Sequence, residues 1–399
     1  MSNLKETLME YISEEHLIEM ASDMIRIPSY TGIPEQETGV ARYVKSVFDA
    51  NGIPCELKEV VDGRCNVIAT LDSGKPGKTI MLNAHMDTVP PYGWAEALNP
   101  KVVDGKLYGR GATDPKGQLA CLVEAVLAVK KSGALEKGKI ILTGVIDEEQ
   151  RSFGTIDVLE SGLTADGAIV AETSNLKIHT AQRGLEWLNF HFIGKAVHSA
   201  KQRDGINAIA KAVAFINAME EKLIPQIEAR THPLLKESTI NYCVIHGGTQ
   251  PSTVAGTCDL QLDRRFLPYE SYDMVLGEFQ EILDELAAKD PDFKCEMSVC
   301  EESVMKEGYA HLPMETSLDD PLVTAMQDAV RRAKEEEPVM GFMPAWTDAG
   351  LLNGYGKIPT VVMGAGGGAA HAENEFVPVD DMVKEALICA LTAINFCKS

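Results

Sequence analysis

The feature that most restricts the fold is a series of short, almost wholly apolar runs: Asn66–Leu71, Thr79–Asn83, Ile140–Val145, Ala168–Ala171 and Thr360–Met363. Runs this short read as strands rather than helices, and strands apolar on both faces must be covered on both. Residues 116–131 between them carry a helical pattern, so strand, helix and strand alternate. That order predicts an α/β fold, a mostly parallel sheet with helices on both faces. Helical spacing also marks 5–27 and 36–51, which the Pro and Gly residues of IPSYTGIPEQ separate, and later 320–335 and a terminal helix from Met382.

From Arg183 the pattern changes. GLEWLNFHFIG alternates like a half-buried strand, Asp204 is placed to cap a helix running to about Leu223, and strands follow near 240–246 and 256–266. A helix over 272–288 and a strand over 293–300 complete a β-α-β-β-α-β order, the split βαβ or ferredoxin-like arrangement. The chain has 399 residues, more than the ~250–300 that one core ordinarily fills. The expected organisation is therefore a catalytic α/β domain in two parts, 1–181 and 295–399, with a smaller α+β domain inserted at 182–294.

A formal charge of −22 opposes binding to phosphate backbones or anionic lipid. Nucleic-acid and membrane roles are disfavoured, which leaves small molecules. The start, MSNLKETLMEYISEEHL, lacks a basic segment followed by an apolar one, and the nine cysteines show no C-x-x-C pair. Both observations read as a cytoplasmic protein with reduced thiols.

Chemistry-bearing residues sit just past the strands. Thr79–Asn83 leads to His85 and Asp87 in NAHMDTVP, where Asp87 could fix the His85 ring for a metal or the two could form a plain polar pair. GRGATDPKGQLA opens the 116–131 helix, and Asp114 there is either a helix cap or a ligand; the glycine spacing fits neither phosphate-loop pattern. Ile140–Val145 runs into Asp147, Glu148 and Glu149; Ala168–Ala171 into Glu172; and Thr360–Met363 into a glycine loop and His371. Parallel strands deliver such residues to one sheet edge. Gathering Asp87, Asp114, Glu148, Glu149 and Glu172 in one cleft costs several kcal/mol per ion unless cations neutralise them. Two His with several carboxylates suit zinc and exceed the needs of one four-coordinate ion, so two metals sharing a carboxylate are expected.

AHMDTVP, GRGATDPKG, DEE, VAET, GKAVHSA, the DRR stretch and GGGAAHAENE, in that order and over nearly the whole chain, resemble the co-catalytic zinc hydrolases. That family includes acetylornithine deacetylase, succinyl-diaminopimelate desuccinylase, aminoacylase and glutamate carboxypeptidase. The resemblance implies that His85 and Glu172 hold one zinc (cobalt and manganese being alternatives), that Glu149 and His371 hold the other, and that Asp114 bridges them. It further implies that Asp87 orients His85, Glu148 is the general base, and His198 donates to the oxyanion from the partner subunit of a homodimer joined through the inserted domain. Arg265 looks like the residue that pairs with a substrate carboxylate, and Arg264 beside it is expected on the strand's other face, at the surface. Ser252, where some relatives carry asparagine, and Thr347, with Asp348 after it, are expected substrate contacts. The implied reaction is removal of an acyl group from an N-acyl amino acid, the alternative being a dipeptidase or carboxypeptidase of the same family.

Overall fold

The computed structural model describes residues 4–399; Met1, Ser2 and Asn3, the first residues of the polar N-terminal stretch, lie outside the described residues. The chain divides into two compact units. The first comprises the chain through Ala181 with Met314–Met343 and Thr347–Ser399; the second comprises Gln182–Pro313 with Pro344–Trp346.

In chain order the main strands are β1 (Cys55–Val61), β2 (Arg64–Asp72), β3 (Thr79–His85), β4 (Lys139–Val145), β5 (Gly167–Val170) and β6 (Ile178–Gln182). There follow β7 (Gly184–Ile193), β8 (Thr239–Gly247), β9 (Thr257–Phe266), β10 (Cys295–Val299), β11 (Met314–Glu315), β12 (Met340–Met343) and β13 (Thr360–Val362). The main helices are α1 (Glu14–Arg26), α2 (Thr38–Ala50), α3 (Lys116–Ser132), α4 (Phe153–Glu160), α5 (Ala208–Ala218), α6 (Tyr272–Lys289), α7 (Pro321–Lys334) and α8 (Val379–Lys398).

The first unit is built on a sheet ordered β1-β2-β4-β3-β5-β13-β6-β11, with β12 added against β6. Its four central strands, β4, β3, β5 and β13, are parallel, and antiparallel strands extend it on both sides. The two-residue period of a strand sorts the side chains: Ile80, Leu82 and Ala84 pack into the larger core with α1, α3, α7 and α8. Met81, Val145, Val170 and Val362 meet Val158 of α4 and the short helix Ala349–Gly354 on the other face. Helices thus cover both faces, as the doubly apolar strands require.

The helix expected over 5–27 is interrupted. Leu4–Met9 is a separate short helix, and α1 begins after Ser13, whose hydroxyl accepts from the His16 N–H at 3.3 Å. Buried Glu124 of α3 holds the junction, accepting from the Ser13 N–H at 2.9 Å and pairing with His16 Nδ1 at 2.7 Å.

The second unit is a four-stranded sheet ordered β8-β9-β7-β10, antiparallel throughout. One face packs Leu188, Phe190, Phe192, Leu260 and Leu262 against Phe215 of α5 and Phe279 of α6. The boundary expected at 294 falls short. Strand β10 starts at Cys295 and pairs with β7, which keeps the chain in this unit through Pro313. The cap expected at Asp204 moves as well: Asp204 lies in a 3-10 turn, and Asn207 caps α5 through Oδ1, which accepts from Ile209 and Ala210. Among the described residues no helix is long and apolar enough to cross a membrane.

Candidate metal centre

Because β3, β4, β5 and β13 are parallel, their C-terminal ends lie along one edge, and the segment after each carries polar groups to the same place. β3 ends on His85, and Asp87 follows; β4 leads to Asp147–Glu149; β5 leads to Glu172; β13 leads through the glycine loop to His371. Asp114 arrives at the entrance of α3.

Two groups of donor atoms result, one of His85, Asp114 and Glu172, the other of Asp114, Glu149 and His371, each with its atoms within 4.8 Å of one another. His85 Nε2 is 3.1 Å from Asp114 Oδ1 and 3.3 Å from Glu172 Oε1. His371 Nε2 is 3.1 Å from Asp114 Oδ2 and 3.2 Å from Glu149 Oε1. Asp114 therefore turns one oxygen to each imidazole. Ligand atoms ~2.0–2.1 Å from a tetrahedral zinc-sized ion stand about 3.3 Å apart, so the donor spacing and the nitrogen and carboxylate chemistry both fit such an ion. Glu149 Oε1 is buried, and among the described residues it is met by the His371 ring 3.2 Å away, so it is an acceptor already turned toward the place a cation would take. Glu148 joins neither group; its Oε2 lies 3.9 Å from His85 Nε2.

Asp87 does more than face His85. The His85 ring donates from Nδ1 to Asp87 Oδ1 at 3.2 Å, while the Glu148 N–H donates to the same oxygen at 3.1 Å and the Glu149 N–H to Oδ2 at 2.9 Å. One buried carboxylate thus fixes an imidazole and the backbone of the two adjacent acids.

The electrostatics reflect crowded acids. Burial raises the Glu148 carboxyl well above the ordinary carboxylate range, with Glu172, Asp348 and Glu149 adding repulsion against the relief from His85. Burial likewise takes Glu172 up to about 7, although its bond to His85 opposes the shift. Hydrogen bonds to Asp114 and then Glu149 push His371 up to about 10. Burial alone would lower the His85 value, but its bonds to Asp114, Asp87 and Glu172 outweigh it and raise it well above the ordinary imidazole range.

Several supporting residues escaped the sequence reading. Arg64 bridges buried Glu37 and, at 2.7 Å, Asp147 Oδ1, which braces the turn where Asp147 takes φ +73° ahead of Glu148. Glu375 accepts from the Thr113 and Asp114 N–H groups. Asp348, by contrast, was expected as a substrate contact; it is buried and accepts from Thr155 Oγ1 at 2.6 Å, and burial takes its carboxyl up to about 6. The glycine loop is close-packed: a Cβ on Gly367 would lie 1.9 Å from Thr113 Oγ1. Only the Gly and Ala signal of the loop pointed that way.

The remaining expected residues sit as follows. Thr347 is buried, with its hydroxyl accepting from the Ala349 N–H at 3.3 Å. In the second unit, His198 is exposed and its Nδ1 accepts from the Ala200 N–H at 3.1 Å, while Ser252 is exposed and its carbonyl accepts from the Ser199 N–H. Arg265 forms a bidentate pair with Asp263 at 2.8 and 3.0 Å. Arg264 is on the opposite face, as alternation demands, but not at the surface: that face is the core, and Arg264 is fully buried against Glu270 at 2.7 Å.

Residues 81–395 match the family described as peptidase family M20/M25/M40. The chain is 28% identical over 410 residues to the N-formyl-4-amino-5-aminomethyl-2-methylpyrimidine deformylase of Bacillus subtilis (strain 168), covering 96% of this chain and 95% of that one. It is 26% identical over 424 residues to a probable succinyl-diaminopimelate desuccinylase of Staphylococcus aureus (strain MSSA476), covering 95% and 98%. Its fold is similar to that of aminopeptidase PepT from Bacillus cereus ATCC 10987, with TM-score 0.80, 21% identity and coverage of 97% and 100%. It is also similar to the YXEP protein of Bacillus subtilis, described as a dinuclear metal-binding peptidase of the M20 family, with TM-score 0.68, 17% identity and coverage of 96% and 98%.

Proposed function

Since the chain belongs to peptidase family M20/M25/M40, and so is a hydrolase of amide or peptide bonds, we propose that it removes the acyl group from an N-acylated amino acid. The observation that carries this reading is the pair of donor groups sharing Asp114, with Glu148 adjacent but in neither. His85 and Glu172 would hold one divalent ion, Glu149 and His371 the other, and Asp114 both. Zinc suits the donor set best, with cobalt and manganese as alternatives. Such a pair supplies a water acidified toward neutral pH and a Lewis acid for the amide carbonyl.

Glu148 is the proton carrier. It takes a proton from the attacking water as the new C–O bond forms, then passes it to the amine nitrogen as the C–N bond breaks, leaving a carboxylate and an amine. Asp87 holds that carboxylate's backbone in place. His198 is the donor to the developing oxyanion, contributed by the partner subunit of a homodimer; exposed Ile209 and Val213 on α5 and Val244 and Ile245 on edge strand β8 support self-association of the second unit. Arg265, whose guanidinium Asp263 pairs with, is the anchor for a substrate carboxylate, and Ser252 and Thr347 are further substrate contacts. The deacylase reading is preferred over a dipeptidase or carboxypeptidase because both curated relatives are named for removal of an acyl group. All nine cysteines are free thiols, in keeping with a cytoplasmic protein.

The test is turnover of a panel of N-acyl amino acids, dipeptides and tripeptides with added Zn²⁺, Co²⁺ or Mn²⁺. Cleavage of acyl ornithine or succinyl-diaminopimelate but of no peptide supports the proposal. Cleavage of peptides alone transfers the chain to the peptidase branch.

A further inference from the structure

We propose that Glu375 is a positioning residue that sets the separation between Asp114 and His371, the two ligands contributed by distant loops to the second donor group. The inference rests on the two-ion reading above. His371 is carried by a loop closed at its base by reciprocal N–H to carbonyl bonds between Gly368 and Phe376, both 3.1 Å. Glu375 lies at that base, and its carbonyl accepts from the Gly109 N–H at 3.1 Å. Its carboxylate reaches across to the other loop: Oε1 accepts from the Thr113 N–H at 3.0 Å and the Asp114 N–H at 3.1 Å, and Oε2 accepts from Arg110 Nη1 at 2.6 Å. The backbone of Glu375 thus belongs to the His371 loop while its side chain grips the Asp114 turn. One residue spans the gap between two ligands of one ion.

The pair is also costly in a way that points to a role beyond cohesion. Glu375 and Arg110 are almost wholly buried, and Arg110 Nε and Nη2 find no acceptor; the guanidinium instead lies 5.9 Å from the Trp94 ring centroid. A buried ion pair is weak evidence for stability, since well-packed apolar residues often do as well. What an apolar pair lacks is an oxygen aimed at the Thr113 and Asp114 N–H groups, and partners outside the coordination shell orient ligands and tune metal affinity.

The experiment is titration of the metal-free full chain with Zn²⁺ against a competing chelator, for the wild type, for Glu375→Gln, and for the double variant Arg110→Met/Glu375→Leu, which removes both charges together. Folding is checked by a cooperative thermal transition. The wild type is expected to bind two equivalents. In the double variant the equivalent that depends on both Asp114 and His371 should weaken by roughly 10–100-fold, and the other, which shares only Asp114, by clearly less. Glu375→Gln keeps the shape and one oxygen and should show the same selective loss at smaller size, so it decides the matter if the double variant does not fold. A wild type binding fewer than two equivalents overturns the two-ion reading itself. Two equivalents in the wild type, with both unchanged or both weakened equally in the folded variants, overturns the role of Glu375.

Discussion

Replacing Asp87 by Asn is the sharpest probe of the centre, because the substitution keeps the shape and changes only which groups can accept. Asp87 receives three donors on two oxygens: the His85 ring and the Glu148 N–H on Oδ1, and the Glu149 N–H on Oδ2. Asn has one oxygen, and its NH₂ must face at least one of those donors. With the oxygen at the Oδ1 position, two bonds survive and the Glu149 N–H is orphaned, costing about 1–3 kcal/mol. With the oxygen at Oδ2, the Glu148 N–H is orphaned and the ring, left with the Asp87 carbonyl 3.1 Å from its Nδ1, faces an NH₂ in place of an acceptor, so the first arrangement wins. The expected result is a modest stability loss of about 1–3 kcal/mol with a much larger functional one. Displacing a catalytic segment by ~1 Å costs on the order of 10²-fold in rate, and losing an orienting partner lowers metal affinity by ~10–100-fold. Both are measured on the best substrate from the panel: kcat at saturating metal, and metal affinity by chelator competition. Amide hydrogen exchange should quicken at Glu149 more than at Glu148. The rate deficit should shrink in a Glu148→Gln background, because part of it acts through Glu148. A folded Asp87→Asn protein with near-native kcat and metal affinity would refute the reasoning.

Glu148→Ala should retain bound metal and lose at least ~10²–10⁴-fold in kcat, the contribution of a placed acid–base group; turnover close to wild type removes the residue from that role. His198→Ala should lower kcat by about 10²–10³-fold as the loss of an oxyanion donor, and a change confined to thermal stability makes the residue structural. Reloading chelator-treated protein with Zn²⁺ at ~100 times its dissociation constant should add about 2.7 kcal/mol to the unfolding free energy, seen as a rise in Tm, and an unchanged Tm argues against a site in the folded state. The hydrogen bond to Glu124 raises the His16 pKa above its ordinary 6.5, against burial and Lys131 and with Glu19 assisting. The pair therefore stabilises the protein below pH 6.5 and that contribution fades as pH rises through the raised value; hydrogen exchange in α1 should quicken across that range in the wild type but not in His16→Ala.

How much of this was legible depends on the range of the interaction. The buried parallel strands were, because a strand covered on both faces shows as an unbroken apolar run. Strand β1, CELKEVV, was not: it sits at the sheet edge, half exposed, and its alternation is diluted by charge. The start of α5 was assigned to Asp204 rather than Asn207, since either residue can cap and only the local backbone chooses. Alternation placed Arg264 on the face opposite Arg265, yet the environment of that face was decided by α6, which brings Glu278 beside it. No pattern in the sequence pairs Arg110 with Glu375, 265 positions apart.

The sequence by itself determined which residues are the candidates for the chemistry, because acids and imidazoles placed directly after buried strands have little structural reason to be there. The likeness to the zinc hydrolases named Glu149 rather than Glu148 as a ligand and Asp114 as the shared carboxylate; spacing alone left both choices open, and the tertiary structure supplies the distances that group these residues so. The reason is geometric: two adjacent acids differ here by a few ångströms and the direction of a carboxylate, and those are fixed by backbone N–H bonds donated to Asp87 and Glu375 that close over chain separations no local pattern records.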